Sequence, residues 1–123
     1  MTGFSASELF PAELSTPAAA RGFVVETLRA AGVPVADSVA VVVSELVTNS
    51  VLHAGSKARV VVVVDARCVR VEVHDSDPTL PVARDPGPET ISGRGLVRGG
   101  ALTDGWGAAP ADDGKVVWFE LDR

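Results

Sequence analysis

The chain has 123 residues, 46% of them hydrophobic and 22% charged, a composition of a folded domain with a real core rather than of a disordered segment. Its formal net charge is -5, and no basic stretch is present, which argues against a nucleic-acid partner. One cysteine, Cys68, excludes an internal disulfide and any multi-cysteine zinc site, and suits a reducing compartment such as the cytoplasm.

The first residues carry neither a basic region nor a long apolar core, so they do not read as a signal peptide. The longest apolar run, Val60–Val64, is far too short to span a bilayer, and no membrane partner is expected. Residues 4–14 place Leu9, Phe10 and Leu14 among polar neighbours, and Pro11 confines this stretch to an edge or irregular strand. Ser15-Thr16-Pro17 reads as a helix start, a hydroxyl cap with proline in the first turn. The helix is expected to run to about Ala31, with Phe23, Val24, Leu28 and Ala31 on its apolar side and Gly32 as its stop.

A second helix is expected over residues 38–54, with Asp37 or Ser38 as its cap and its end near Gly55. Within it Glu45 and Asn49 are four residues apart, so a carboxylate and an amide lie about 40° apart on one face. An amide oxygen is a fair ligand for Mg²⁺, and a carboxylate one turn earlier can take a proton from an attacking hydroxyl. The same pair also reads as two solvated groups on an amphipathic helix, and spacing alone leaves both readings open. His53, without partners, reads as a helix-end hydrogen-bonding group.

The period then changes to strand. Ala58–Asp65 is nearly all valine, as in a strand covered on both faces, or on one face at an edge. Cys68–His74 alternates Val69, Val71 and Val73 with Arg70, Glu72 and His74, a half-exposed strand that delivers Asp75 at its end. Residues 76–92 hold four of the eight prolines and no period, a long loop of the kind that is functional or mobile. Gly93-Arg94-Gly95 precedes a short helix near 96–102, in which Gly99 and Gly100 are unfavourable. Trp106-Gly107 and Val116–Leu121 read as two closing strands turned near Asp112-Asp113-Gly114. The order describes a single α+β domain over 1–123, a two-layer sandwich with helices on one face of a mixed, largely antiparallel sheet.

Glu45-Leu46-Val47-Thr48-Asn49-Ser50-Val51-Leu52-His53-Ala54, Val71-Glu72-Val73-His74-Asp75 and Gly93-Arg94-Gly95-Leu96, in this order, resemble the motifs of the GHKL (Bergerat) ATP-binding domain. Gyrase, the ninety-kilodalton heat-shock chaperone, MutL and histidine kinases share that domain. The nearest resemblance is to the small anti-sigma-factor serine kinases of bacteria, and it covers almost the whole chain. It implies ATP and Mg²⁺ as cofactors, with Asn49 ligating the metal and Glu45 as catalytic base. It implies that Asp75 accepts from the adenine amino group. Gly93, Arg94, Gly95 and Leu96 would lie along the phosphates, and 76–92 would be the ATP lid. The implied activity is transfer of the γ-phosphoryl group of ATP to a serine of an antagonist protein. A sigma factor and that antagonist are the implied partners, and a homodimer is left open. One departure stands out: Asp75 is followed by Ser76-Asp77-Pro78 where the family carries glycines. The rival expectation is a non-catalytic interaction module of the same fold that binds a sigma factor or another regulator.

Overall fold

A computed structural model describes residues 3–35, 37–53, 55–76, 105–111 and 114–122. The elements follow as strand β1 (Phe4–Phe10), helix α1 (Thr16–Ala30), helix α2 (Asp37–Thr48) with a π-helical turn (Asn49–His53), then β2 (Ala58–Val64), β3 (Cys68–Asp75), β4 (Gly105–Ala111) and β5 (Gly114–Asp122). The strands form one sheet in the order β1-β2-β3-β5-β4. Every pairing among the described strands is antiparallel. The expected helix near 96–102 lies outside the described residues.

Alternation along the strands decides which side is covered. Ala58, Val60, Val62 and Val64 are buried, as are Val69, Val71, Val73, Val117 and Phe119. They pack with Val24 and Leu28 of α1 and with Val42, Val43, Leu46 and Val47 of α2 in one hydrophobic cluster. Each fully buried Val, Leu or Phe contributes about 1.5–3 kcal/mol relative to exposure, so this seam dominates the stability. The residues between them, Arg59, Val61 and Val63 on β2 and Arg70, Glu72 and His74 on β3, face away from the helices and are half-buried or exposed. β2 lies between β1 and β3 rather than at an edge, which accounts for its run of valines.

β1 is an edge strand of regular pairing that stops one residue before Pro11. Proline removes a ladder donor, so the strand ends there. The start of α1 differs from expectation. Ser15 makes no side-chain cap, and the Thr16 hydroxyl instead donates 2.6 Å to the Pro11 carbonyl. The end of α1 is as expected: Gly32 has φ +77°, the Val33 amide donates to Leu28 (2.9 Å) and the Gly32 amide to Arg29 (3.0 Å). This crossed pair of bonds satisfies the last helix carbonyls and requires a residue tolerant of the left-handed region.

The second helix is not uniform. It is α-helical through Thr48 and widens at Asn49 into a π-helical turn. Such turns bond i to i+5, and they occur often at functional positions. The Ser56 amide closes the end onto the Ser50 carbonyl at 3.1 Å, after Gly55 turns the chain at φ +63°.

Candidate functional site

Glu45 lies in the last full turn of α2, and Asn49 opens the π-helical turn. Both are half-buried, flanked by the buried Leu46 and Ser50. The residue after Asn49 makes the decisive contact. Ser50 Oγ donates 2.7 Å to Asp75 Oδ2, tying the end of the helix to the end of β3. This bond ties the helix that carries Glu45 and Asn49 to the strand end that carries Asp75. The fourth motif, Gly93, Arg94, Gly95 and Leu96, and the expected lid beyond Ser76 lie outside the described residues.

Asp75 has a second partner. In the β3–β5 register Asp75 faces Lys115, and Lys115 Nζ lies 3.1 Å from Oδ1 and 3.0 Å from Oδ2. The carboxylate side chain is 1% exposed and the lysine 12%. The aspartate is therefore held as a buried anion, with an ammonium against both oxygens and a hydroxyl on one of them. Charge-assisted bonds of this kind are roughly twice as strong as neutral ones.

The backbone around Asp75 is fitted closely. A Cβ on Gly114 would overlap the Asp75 carbonyl and approach Ser76 Cα at 2.6 Å, so only glycine lets β5 start here. Ser56, 4% exposed, donates to the Lys57 carbonyl (2.7 Å), accepts from the Ser76 amide (2.9 Å) and lies 2.9 Å from Ser76 Oγ. Ser50, Ser56, Ser76 and Lys115 were not found by sequence reasoning. Three are short hydroxyls with no pattern of their own, and the lysine stands forty positions from its partner. The Asn49-Ser50 pair inside the helix motif was the only available signal.

The opposite face of the sheet carries different chemistry. Leu9, Arg59 and His74 align in register and border an open cavity of about 790 Å³ that also reaches Lys57 and Ser76. Asp75 borders it too, but its carboxylate is turned to Ser50 on the helix side. Ser56 and Gly114 line it as well, so the cavity adjoins the corner where Ser50 meets Asp75. Farther along this face Arg70 bonds Glu72 (2.7 Å) and Glu120 (3.0 Å) and lies 4.4 Å from the Trp118 ring centre. His74 Nε2 donates to Glu72 Oε1 at 2.8 Å. Partial burial works against ionisation of Glu72, but the hydrogen bonds and charges of Arg70 and His74 outweigh it and hold the carboxyl below its ordinary range.

Among the described residues no group of three or more His, Cys, Asp or Glu side chains is placed to hold a metal. An Mg²⁺ ion that takes phosphate and water oxygens would need no such group, and the Asn49 amide oxygen is a donor of the kind it accepts. Also among the described residues, no helix is long and apolar enough to cross a membrane.

A five-stranded antiparallel sheet with two helices on one face, and a helix-end polar corner against a strand-end aspartate, defines an ATP-binding domain of the GHKL type. The model of the histidine kinase-like ATPase domain matches residues 10–121, and the chain belongs to that family. No curated protein matches it.

Proposed function

We propose that this ATP-binding domain is a cytoplasmic regulatory kinase of the anti-sigma-factor type, which transfers the γ-phosphoryl group of ATP to a serine of an antagonist protein. The observation that supports the proposal is the Ser50–Asp75 bond of 2.7 Å, which ties the end of the helix that carries Glu45 and Asn49 to the strand-end carboxylate. One end of a bound nucleotide would meet Asp75 and the other would meet the helix turn carrying Glu45 and Asn49. Asn49 offers one neutral oxygen to Mg²⁺, which neutralises charge on the triphosphate. Glu45 takes the proton of the attacking serine hydroxyl as the new oxygen–phosphorus bond forms and the bond to the ADP oxygen breaks. Positioning and charge neutralisation do most of the catalytic work in such transfers.

A second reading has its own support. Ser50 and Lys115 already engage Asp75, and Ser76 follows it where a glycine would give a nucleotide more room. A binding module that sequesters a sigma factor without catalysis accommodates both features. The test is calorimetric titration with ATP and Mg²⁺, together with transfer from γ-labelled ATP to candidate antagonist proteins. Asn49→Ala should weaken ATP binding in Mg²⁺ and leave the circular dichroism unchanged. Glu45→Ala should keep affinity while transfer falls by roughly 10²–10⁴, the usual worth of a positioned base. ATP binding with no labelling of any antagonist, alongside retained sigma-factor binding, would select the binding module instead.

A further inference from the structure

Arg59 and Arg70 share the sheet face that the helices leave open, and their surroundings differ. Arg70 bonds Glu72 and Glu120 and lies over the Trp118 ring. Arg59 has Leu9 on one side and His74 on the other in the strand register, and neither is an acid. Lys57, two residues earlier, is exposed like Arg59. Neither cation forms a hydrogen bond or ion pair with another described residue. Cross-strand pairs of opposite charge stabilise a sheet, so an arginine set between a leucine and a histidine forgoes what Arg70 obtains.

Both cations border the open cavity of about 790 Å³ at the end of the sheet. Its lining crosses every described strand, with Leu9 on β1, Arg59 on β2, His74 on β3, Gly114 on β5 and Ala111 on β4. Adjacent strands lie about 4.8 Å apart, so the intervals between the five strands add to a trough about 19 Å long. An extended chain covers about 3.3 Å per residue, and roughly six residues fill that length. Inorganic phosphate or a single carboxylate would occupy a small part of it. We propose that this trough docks an extended acidic segment of a protein partner, with carboxylates on Lys57 and Arg59 and an apolar side chain on Leu9.

The charges around the trough suit such a ligand. Asp75 borders it, yet the side chain is 1% exposed and is engaged by Ser50 and Lys115. Glu72, the next acid along β3, is taken by Arg70 and His74. Leu9 is 49% exposed beside Arg59 and gives the β1 end of the trough an apolar contact. A guanidinium grips a carboxylate through two parallel N–H donors, and a lysine adds a point charge. The whole chain has a net charge of -5, so an acidic segment is held only where a local basic patch outweighs that field. The surface stands apart from nucleotide binding, since it uses neither Glu45 nor Asn49 nor the carboxylate of Asp75.

The probe is a fluorescein-labelled peptide, Glu-Leu-Glu-Glu-Leu-Glu, titrated with the full chain at low salt and followed by fluorescence anisotropy. Its counterpart with glutamine for every glutamate is the control. Wild type should bind the acidic peptide and not the neutral one, and added salt should weaken the binding. Lys57→Glu combined with Arg59→Glu should lower the affinity by about tenfold or more, because two attractions become two repulsions. Lys57→Gln combined with Arg59→Gln, which only removes the attractions, should lower it by about threefold or more. Circular dichroism checks both proteins, and the glutamine pair carries the test if the reversed protein does not fold. ATP with Mg²⁺, inorganic phosphate and citrate, each at matched ionic strength, should leave the peptide bound. Displacement by ATP would put the trough within the nucleotide site, and displacement by phosphate or citrate would make it a general anion site; either would overturn the proposal. Failure of wild type to bind the acidic peptide, equal binding of the neutral one, or an unchanged affinity in a folded variant would overturn it as well.

Discussion

Replacing Ser50 with alanine tests the contact that joins the helix to the strand end. The lost bond is 2.7 Å long, ends on a carboxylate 1% exposed, and starts from a side chain that is itself buried. Hydrogen bonds to charged groups are worth about 1.5–3 kcal/mol. Asp75 keeps Lys115, so the larger penalty of about 3–5 kcal/mol for a stranded buried charge does not apply. Alanine is the better helix former by a few tenths of a kcal/mol, a small offset. The expected loss is therefore about 1.5–3 kcal/mol, or roughly 5–12 °C in Tm for a domain of this size. Urea unfolding followed by circular dichroism without nucleotide measures it, and the m value should not change. Ser56→Ala is a comparison among neutral contacts: that hydroxyl donates to the Lys57 carbonyl and accepts from the Ser76 amide, and at about 0.5–1.5 kcal/mol for each bond its loss should cost about 1–3 kcal/mol. A Ser50→Ala midpoint indistinguishable from wild type would refute the reasoning.

Two further outcomes are expected. Gly114→Ala should destabilise by about 1–3 kcal/mol, since its Cβ would meet the Asp75 carbonyl and the Ser76 backbone, neither of which can yield as a side-chain tip can; a neutral result in thermal denaturation would contradict the close approach. Glu72 is held below its ordinary value of 4.5, so its contribution to stability is present above that pH and is lost as the pH falls through the lower folded-state value; Glu72→Gln should flatten the acid limb of the stability profile, and an unchanged limb would count against it.

Local periodicity carried most of the fold. Alternation of Val69, Val71 and Val73 with polar residues marked β3, and the apolar run through Val43 marked α2. Gly32 announced the end of α1 because a positive φ is a local requirement. Asp75 could be placed at a strand end, and Glu45 and Asn49 on one helix, from their own neighbourhoods. The widening of the helix at Asn49 could not be read, because nothing in Asn49-Ser50-Val51 distinguishes a π-helical turn from an α-helical one. Ser15 keeps the cap position without a side-chain bond, and the Thr16 hydroxyl, the first residue of α1, donates instead to the Pro11 carbonyl five residues earlier. Lys115 was invisible as a site residue for a related reason. Only the antiparallel register of β3 with β5 sets it against Asp75, and register is a property of the assembled sheet.

The strand order β1-β2-β3-β5-β4 has a consequence for how the protein is made. β5 is the last described strand to leave the ribosome, yet its place is inside the sheet, between two strands synthesised before it. Lys115 follows Asp75 by forty positions, about 2–8 s of synthesis at 5–20 residues per second. Until β5 emerges, β3 and β4 each lack, among the described strands, the partner that joins them. The sheet cannot close by adding strands outward as they emerge; β5 must be inserted. Asp75 meanwhile lacks the Lys115 ammonium and has the Ser50 hydroxyl from the chain already made. Completion of the sheet and arrival of Lys115 at the carboxylate thus fall in a single late step, and a chain stalled before Gly114 would present an open strand edge to the quality-control machinery of the cell.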